Sequence, residues 1–154
     1  MKQSTFITAF IFTLASSLAN ATNWIMLNST STEFHEIVSV DFDSITGYYF
    51  NPQDKSKTFV TAWVKLEFPN GRRLSNGRAY SEQKILWYID CKNQKISLSE
   101  GYAFNSQGSL VGSVSNPLPT HSSSSWENAI PDTLASGLLK EICYYYQLKY
   151  TSRT

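Results

Sequence analysis

Two cysteines, and the two segments that contain them, constrain this chain more than any other feature of its sequence. Cys91 ends the run Lys84–Cys91, in which apolar residues alternate with period two, as in a strand with one buried face. Cys143 lies in the segment 131–146, where apolar residues recur every three or four positions and predict an amphipathic helix. Each cysteine falls on the apolar stripe of its segment, so a bridge between them would fasten the helix to the sheet.

Two cysteines allow a single intramolecular pairing, and the loop that it closes contains 53 residues. A cross-link of that span contributes about 4 kcal/mol in the chain-entropy model. The alternative is that both cysteines belong to a metal site. The two histidines, His35 and His121, lie far from both cysteines in sequence, and no ligand spacing is apparent. We therefore predict a disulfide between Cys91 and Cys143, with no metal and no cofactor.

The N-terminus has the pattern of a secretory signal peptide. Lys2 supplies a positive charge, residues 6–15 are apolar, and Ala19-Asn20-Ala21 resembles a small-residue cleavage site. We predict that residues 1–21 are removed; the alternative is an uncleaved N-terminal anchor. The apolar stretch is shorter than the roughly 20 residues that a transmembrane helix needs. The predicted mature chain begins at Thr22, so it lacks the N-terminal cysteine that carries the lipid of a bacterial lipoprotein.

The remaining chain is long enough for one domain, which we place at residues 22–150 and which a polar tail follows at 151–154. The predicted signal peptide contains one of the 13 basic residues and none of the 12 acidic ones, so the mature chain is electrically neutral. A neutral chain has no general electrostatic attraction to nucleic acid or to an anionic membrane. Export to the periplasm or beyond also permits a disulfide.

Alternating apolar residues predict an antiparallel sheet. The stripe Val60, Ala62, Val64, Leu66 and Phe68 is the core-facing side of the longest strand. Short turns with Asn-Gly and other turn residues separate the strands, which favours a meander. The predicted strands are 23–27, 35–42, 58–68, 80–91, 96–104 and 109–115. The predicted fold class is therefore α+β: an antiparallel meander of about six strands packed on one C-terminal helix.

The most basic segment is the connection Pro69–Arg78, which contains three arginines and two Asn-Gly pairs. It is either a solvated hairpin loop or a tip that contacts an anion or a protein partner. Under the second interpretation the arginines act together with two aromatic residues of the neighbouring strands. The predicted partner-binding residues are Trp63, Arg72, Arg73, Arg78 and Tyr88.

Aromatic residues make up 14% of the chain, and several lie on the stripe that faces away from the helix. Phe59, Trp63, Tyr80 and Tyr88 would form an exposed set, and exposed aromatics beside basic residues suit protein or glycan recognition. One alternative is a small second core, covered by residues 48–50. Another is a homodimer through this face.

The sequence contains no catalytic constellation. Asp41 and Asp43 are two residues apart, as an acid–base or cation-binding pair can be, but the turn that follows them favours a capping role. The serine run 122–125 lacks the surroundings of a catalytic nucleophile. The glycines lie at turns and form no phosphate-binding loop. We therefore predict that the protein is not an enzyme.

An ordered set of landmarks resembles the surface-adhesin protein E family of small exported Gram-negative proteins. The resemblance extends roughly from Trp24 to Cys143, and the order of the landmarks is more specific than any one of them. They are Trp24, 40–45, 59–65, 85–93, Gly101-Tyr102, 108–111, Trp126, Ile130-Pro131 and 138–143.

The resemblance implies an antiparallel sheet, one C-terminal helix and a disulfide that joins them. It also implies binding of host matrix or serum proteins, as by the surface lipoprotein that names the family. The missing lipid cysteine departs from that pattern. Our prediction is a secreted or periplasmic, non-catalytic module that contacts host or envelope proteins. The alternative is a soluble periplasmic accessory or structural domain with no part in cell adhesion.

Overall fold

The structure, a computed structural model, describes residues 22–27, 36–51, 53, 58–118 and 122–151. Within these residues the chain forms eight strands, one 3₁₀ turn and one α-helix. The strands are β1 (Trp24–Met26), β2 (Ile37–Asp41), β3 (Thr46–Tyr48), β4 (Phe59–Arg73), β5 (Ala79–Asp90), β6 (Lys95–Phe104), β7 (Leu110–Ser115) and β8 (Glu127–Asn128). The 3₁₀ turn is Phe42–Ser44 and the helix, α1, is Leu134–Thr151.

All strand pairs are antiparallel, and the main strand order is β1-β2-β4-β5-β6-β7. The short strand β3 pairs with the first residues of β4, in line with β2. The short strand β8 pairs with the first residues of β6, in line with β7. The predicted α+β meander is confirmed, and β3 and β8 are the two short strands that the alternation of apolar residues did not reveal.

The core lies between α1 and one side of the sheet. Leu138 and Ile142 of α1 are fully buried with Val60 and Val64 of β4 and with Ile89 of β5. The register places Ile89 opposite Val60, so the buried stripes of β4 and β5 are continuous. Burial of one such aliphatic side chain contributes about 1.5–3 kcal/mol. The predicted core-facing stripe of β4 is confirmed for Val60, Ala62 and Val64, and that of the helix is confirmed, whereas Phe68 lies in a separate buried cluster.

Cys91 and Cys143 form the predicted disulfide, and their Cα atoms are 5.9 Å apart. Cys91 is the first residue after β5, and Cys143 lies near the middle of α1. Both residues pack against the core between the helix and the sheet. The bond therefore joins the end of a central strand to the element that covers it.

The helix begins three residues later than its apolar pattern predicts, at Leu134 instead of Pro131. Asp132 has a φ of 59°, which a right-handed helix does not contain. Thr133 supplies the helix cap, because its Oγ1 accepts a hydrogen bond from Ser136 N at 3.3 Å. The acidic residue therefore lies in the turn before the helix and not in its first turn.

The helix also continues to Thr151, past the three consecutive tyrosines, 144–146, with which its predicted segment ends. Two of those tyrosines pack against the core. Lys149 Nζ, in the last turn, donates hydrogen bonds to the carbonyl oxygens of Phe42, Asp43 and Ile45 at 3.1, 3.0 and 3.0 Å. These contacts anchor the end of the helix to the 3₁₀ turn, and the partners are more than 100 residues away in sequence.

Half of the basic segment that was predicted as a loop is strand. β4 extends to Arg73, with an irregularity in its pairing with β5 between Glu67 and Arg72. Gly71, in this irregularity, has a φ of 64°, and Gly77 has a φ of 83° in the turn that follows. Gly77 N donates to Leu74 O at 2.9 Å and closes that turn. The first Asn-Gly pair therefore marks a bulge, and only the second marks the hairpin turn.

Candidate binding surface

The side of the sheet that faces away from α1 divides into two parts. Near the beginning of β4 it is covered by aromatic side chains. Further along β4 the side chains on this side are only partly buried. We call this second part the open face and define it by Trp24, Trp63, Lys65, Lys84, Tyr102 and Phe104.

One row of residues crosses the open face at right angles to the strands. Lys65 lies directly opposite Lys84, and Lys84 lies directly opposite Tyr102. Like charges in opposed positions repel, but each lysine has an acidic partner on its own strand. Lys65 Nζ lies 3.0 Å from Glu67 Oε2, and Lys84 Nζ lies 3.3 Å from Glu82 Oε1. The open face therefore carries balanced charge, in two ion pairs whose side chains are still reached by solvent.

Aromatic rings lie on both sides of the two lysines. Lys65 Nζ is 5.3 Å and Lys84 Nζ is 5.9 Å from the ring centroid of Trp24. Lys84 Nζ is also 5.0 Å from the ring centroid of Phe104. The rings of Trp63 and Tyr102 lie with centroids 6.0 Å apart. Tryptophan and tyrosine rings on a surface are enriched in protein-binding sites, and here cation–π contacts hold the two ammonium groups beside the rings.

Exposed apolar side chains border the same surface. Met26 at one edge of the sheet is 66% exposed, and Leu110 at the other edge is 56% exposed. Tyr102 OH donates to Glu100 Oε2 at 3.0 Å, and this hydrogen bond raises the pKa of Tyr102. The hydroxyl is therefore neutral at physiological pH and is fixed in direction by the carboxylate.

The covered part of this side is a second, smaller core of aromatic rings, which we call the aromatic cluster. Phe59 and Trp126 are buried, and their ring centroids are 5.5 Å apart. Phe50 lies 4.5 Å from Phe59 and 5.6 Å from Trp126, and Tyr48 lies 5.1 Å from Tyr88. The predicted alternative, a second core under residues 48–50, therefore applies to this end of the sheet, with Trp126 as an additional member.

The structure separates the aromatic residues that the sequence grouped together. Trp63 lies on the open face, whereas Tyr88 lies in the aromatic cluster, where burial, then Tyr48 and Glu100, raise its pKa. Tyr80 lies in neither place: it packs against Phe68, with ring centroids 5.5 Å apart, in a separate buried cluster. Of the interpretations that the sequence left open, burial applies to Phe59 and Tyr80, because their neighbours cover them.

The three predicted arginines lie at the far end of the β4–β5 hairpin, and each has an intramolecular contact. Arg72 forms an ion pair with the nearly buried Glu36 and stacks over an aromatic ring of β4. Arg73 Nη1 donates to Gly77 O at 3.0 Å, and Arg78 Nη1 donates to the carbonyl oxygen of a β7 residue at 2.9 Å. Trp63 lies opposite Leu86 and Arg72 lies opposite Tyr80, so the two positions are six residues of β5, or roughly 20 Å, apart. The arginines therefore lie at the tip of the hairpin, and Trp63 lies further from that tip.

Asp41 has the structural role that the turn chemistry favours. Its Oδ1 accepts a hydrogen bond from Asp43 N at 3.1 Å, which caps the 3₁₀ turn. Ser44 Oγ donates to Asp41 O at 2.7 Å and accepts from Trp63 N at 2.9 Å. Asp41 is buried and Asp43 is exposed, so the two carboxyl groups do not share an environment.

Residues 122–151 and the other described segments contain no group of three potential metal ligands.

A cleft of about 840 Å³ lies beside the aromatic cluster, where β5 turns into β6. Its most buried polar group is the carboxylate of Asp90, which accepts from Asn93 N, Asn93 Nδ2 and Ser123 Oγ at 3.0, 2.8 and 2.7 Å. Lys95 Nζ donates to Ser124 O at 2.9 Å. These contacts hold the serine run against the sheet, and the sequence did not single out Asp90 for this role.

Asp90 makes the stability of the fold dependent on pH. Burial alone would raise the pKa of Asp90, but hydrogen bonds from Asn93, Ser123 and Lys92 outweigh it, and the pKa lies below the ordinary value of 3.8. The ionised group therefore stabilises the fold above about pH 4, and this contribution is lost as the pH falls through the lower folded-state value. We expect Asp90→Asn to lower the free energy of unfolding by about 1–2 kcal/mol at pH 7.

The difference between Asp90→Asn and the wild type should become smaller in urea denaturation curves recorded between about pH 5 and pH 2. Asp132→Asn, the same chemical change at an exposed position, is the matched control. A difference for Asp90→Asn that stays constant over this range would show that its carboxylate is not stabilised by these hydrogen bonds.

The fold and the surface define a class of protein: an α+β domain in which one antiparallel sheet carries a disulfide-anchored helix on one side and a partly open aromatic surface on the other. A comparison with family models matches residues 24–144 to the family described as surface-adhesin protein E. The chain belongs to this family.

No helix in the described part of the chain is long and apolar enough to cross a membrane.

Two solved structures of Haemophilus influenzae protein E have the same fold. Crystal form II is 16% identical, with a TM-score of 0.51, over 86% of this chain and 98% of that one. The other structure is also 16% identical, with a TM-score of 0.50, over 84% of this chain and 92% of that one. No curated protein matches the sequence. At this identity the structural likeness establishes the fold alone.

The residues of the open face that the predicted binding set omitted are Trp24, Lys65, Lys84, Tyr102 and Phe104. A signal for two of them was present in the sequence: Lys65 and Lys84 fall on the stripes of β4 and β5 that alternate with the core-facing residues. Trp24, Tyr102 and Phe104 had no such signal, because their approach to the lysines depends on how neighbouring strands are paired.

Proposed function

We propose that this protein is an exported, non-catalytic binding module that captures a host or envelope protein on its open face. The observation that carries the proposal is the placement of Trp24, Trp63 and Phe104 around two partly buried lysines. Membership of the surface-adhesin protein E family supports a binding role. The disulfide supports export, since such bonds persist in oxidising compartments. A binding role is also consistent with Asp41 and Asp90, whose carboxylates are occupied by structural hydrogen bonds.

The structure changes which residues should be substituted to test this proposal. Arg72→Ala would remove the ion-pair partner of the nearly buried Glu36 carboxylate and so destabilise the fold. A loss of binding could then follow from the loss of stability. Trp63 and Lys84 are better choices, because both side chains are partly exposed and neither fills the core between α1 and the sheet.

The test uses residues 22–154 immobilised and incubated with serum, with purified matrix proteins and with envelope extracts. We expect the double variant Trp63→Ala, Lys84→Ala to bind the captured protein at least about tenfold more weakly than the wild type. The control is Lys140→Ala, Tyr144→Ala, two exposed positions on the opposite side of the molecule, on α1. Equal binding by the open-face variant and the wild type would exclude this surface as the binding site.

Cell fractionation separates the proposed module from the periplasmic accessory role. Digestion by protease added to intact cells is expected if the protein contacts host proteins from the cell surface. Release by osmotic shock, with no digestion on intact cells, identifies a periplasmic protein, whose partner is then sought among envelope components. The open-face variant tests the binding surface in both cases.

A further inference from the structure

The strand β7 is an edge of the sheet that the other strands leave open. In the described part of the chain β6 is its only strand partner. The opposite edge, β1, has only three residues, whereas β7 has six. An edge strand of this length presents backbone N–H and C=O groups that can pair with another extended segment.

The hydrogen-bond register identifies which backbone groups point away from β6. Asn116 N donates to Ser99 O at 2.6 Å, so this pair is hydrogen-bonded. Antiparallel pairs alternate, so Val114 also points its backbone groups toward β6, and those of Ser113 and Ser115 point outward. Two residues with one donor and one acceptor each offer four hydrogen bonds to an added strand.

Natural sheets usually protect such an edge with charged residues, proline or a bulge. Residues 101–116 contain no charged residue and no proline. Within the described residues, the beginning of β7 is protected, because the register shifts next to Phe104 and Arg78 Nη1 donates to Val111 O. Pro117 follows the end of the strand. Over Gly112–Ser115 the described part of the chain adds no charge, proline or bulge.

We propose that β7 accepts an extended peptide segment of a partner protein by strand addition, through the backbone groups of an edge that adjoins the open face. The exposed groups are those of the backbone, so they recognise an extended polypeptide and no other ligand class. The side chains define the sequence further. Val114 is 55% exposed on one side of the sheet, and Ser113 is exposed on the other. The fitting segment therefore alternates apolar and small polar residues and carries no charge at its centre.

Ser113→Pro tests the proposal with little change to the folded domain. It removes an outward N–H and keeps the ladder to β6, since proline is tolerated where the N–H faces solvent. The probe is a fluorescein-labelled peptide in which threonine and valine alternate between flanking lysines. We expect the wild type and Ser113→Thr to bind this peptide, and Ser113→Pro to bind it at least about tenfold more weakly, because one donor is lost. A second peptide, methylated on alternate backbone nitrogens, should not bind.

Hydrogen exchange gives a measurement that does not depend on the proline variant. The amides of Ser113 and Ser115 should exchange more slowly in the wild type when the peptide is added. No wild-type binding at about 1 mM peptide, or equal binding of the methylated peptide, would overturn the proposal. Slower exchange of these amides as the protein itself is concentrated, without peptide, would also overturn it, because the occupant would then be a second copy of this chain.

The Trp63→Ala, Lys84→Ala variant should bind the peptide as the wild type does. This variant distinguishes the edge from the open face. If it loses protein capture but still binds the peptide, the lost binding belongs to the open face. If Ser113→Pro loses peptide binding but still captures the protein, the lost binding belongs to the edge.

Discussion

Replacing both Cys91 and Cys143 by serine is expected to lower the free energy of unfolding by about 4 kcal/mol. The two residues are 52 positions apart, so the bond removes much of the freedom of the unfolded chain. It also joins β5 to α1, whose residues Leu138 and Ile142 fill the core. For a domain of this size the loss corresponds to a fall in Tm of roughly 10–15 °C. Thermal and urea denaturation of residues 22–154 measure both quantities.

The double serine variant has an internal control in the wild type treated with a reducing agent. Reduction should lower the Tm of the wild type to that of the variant, and the variant itself should not respond. Serine is close to cysteine in size, so the comparison isolates the cross-link from the packing of the side chains. A Tm for the double variant within 2–3 °C of the oxidised wild type, roughly 1 kcal/mol on this scale, would contradict the expected contribution of the bond.

Trp126→Ala is expected to be the most destabilising substitution on the side of the sheet away from α1. Trp126 is only 4% exposed, and its ring lies 5.5, 5.6 and 6.2 Å from the rings of Phe59, Phe50 and Tyr88. Removal of a buried tryptophan leaves a large cavity, and we expect the free energy of unfolding to fall by about 3–5 kcal/mol. Urea denaturation, followed by circular dichroism, gives the value.

Trp63→Ala is the matched control for Trp126→Ala. Both tryptophans lie on the same side of the sheet, but Trp63 belongs to the open face and is only partly buried. Its removal should cost less than half as much. The aromatic cluster would not be a second core if the two substitutions had equal effects. Faster amide exchange at β8 in Trp126→Ala would further show that the ring holds this strand against β6.

Local patterns predicted the parts of the fold that depend on periodicity. The alternation in β4 and β5 identified the side of the sheet that meets α1, and the recurrence of apolar residues in 134–143 identified the matching side of the helix. Both cysteines lay on these stripes, so their pairing was predictable. The landmarks that resembled the surface-adhesin protein E family led to the correct family, which the match over residues 24–144 confirms.

The same patterns were less informative where tertiary contacts decide the structure. The three tyrosines of α1 resembled a helix end, but the contacts of Lys149 with the 3₁₀ turn hold a longer helix. The segment Pro69–Arg78 resembled a loop because it contains two Asn-Gly pairs, but one of them lies in a bulge inside the hairpin. The local pattern of the tyrosines or of the Asn-Gly pairs did not show which distant residues these segments contact.

The candidate surface shows the same division. The sequence by itself determined that Trp63, Lys65 and Lys84 point away from the helix, because side chains on a strand alternate. Only the tertiary structure decided that Trp126 covers one end of that side and leaves the other end open, because Trp126 reaches Phe59 through the long connection after β7. Which side a residue faces is a local property, whereas its exposure depends on the path of the whole chain.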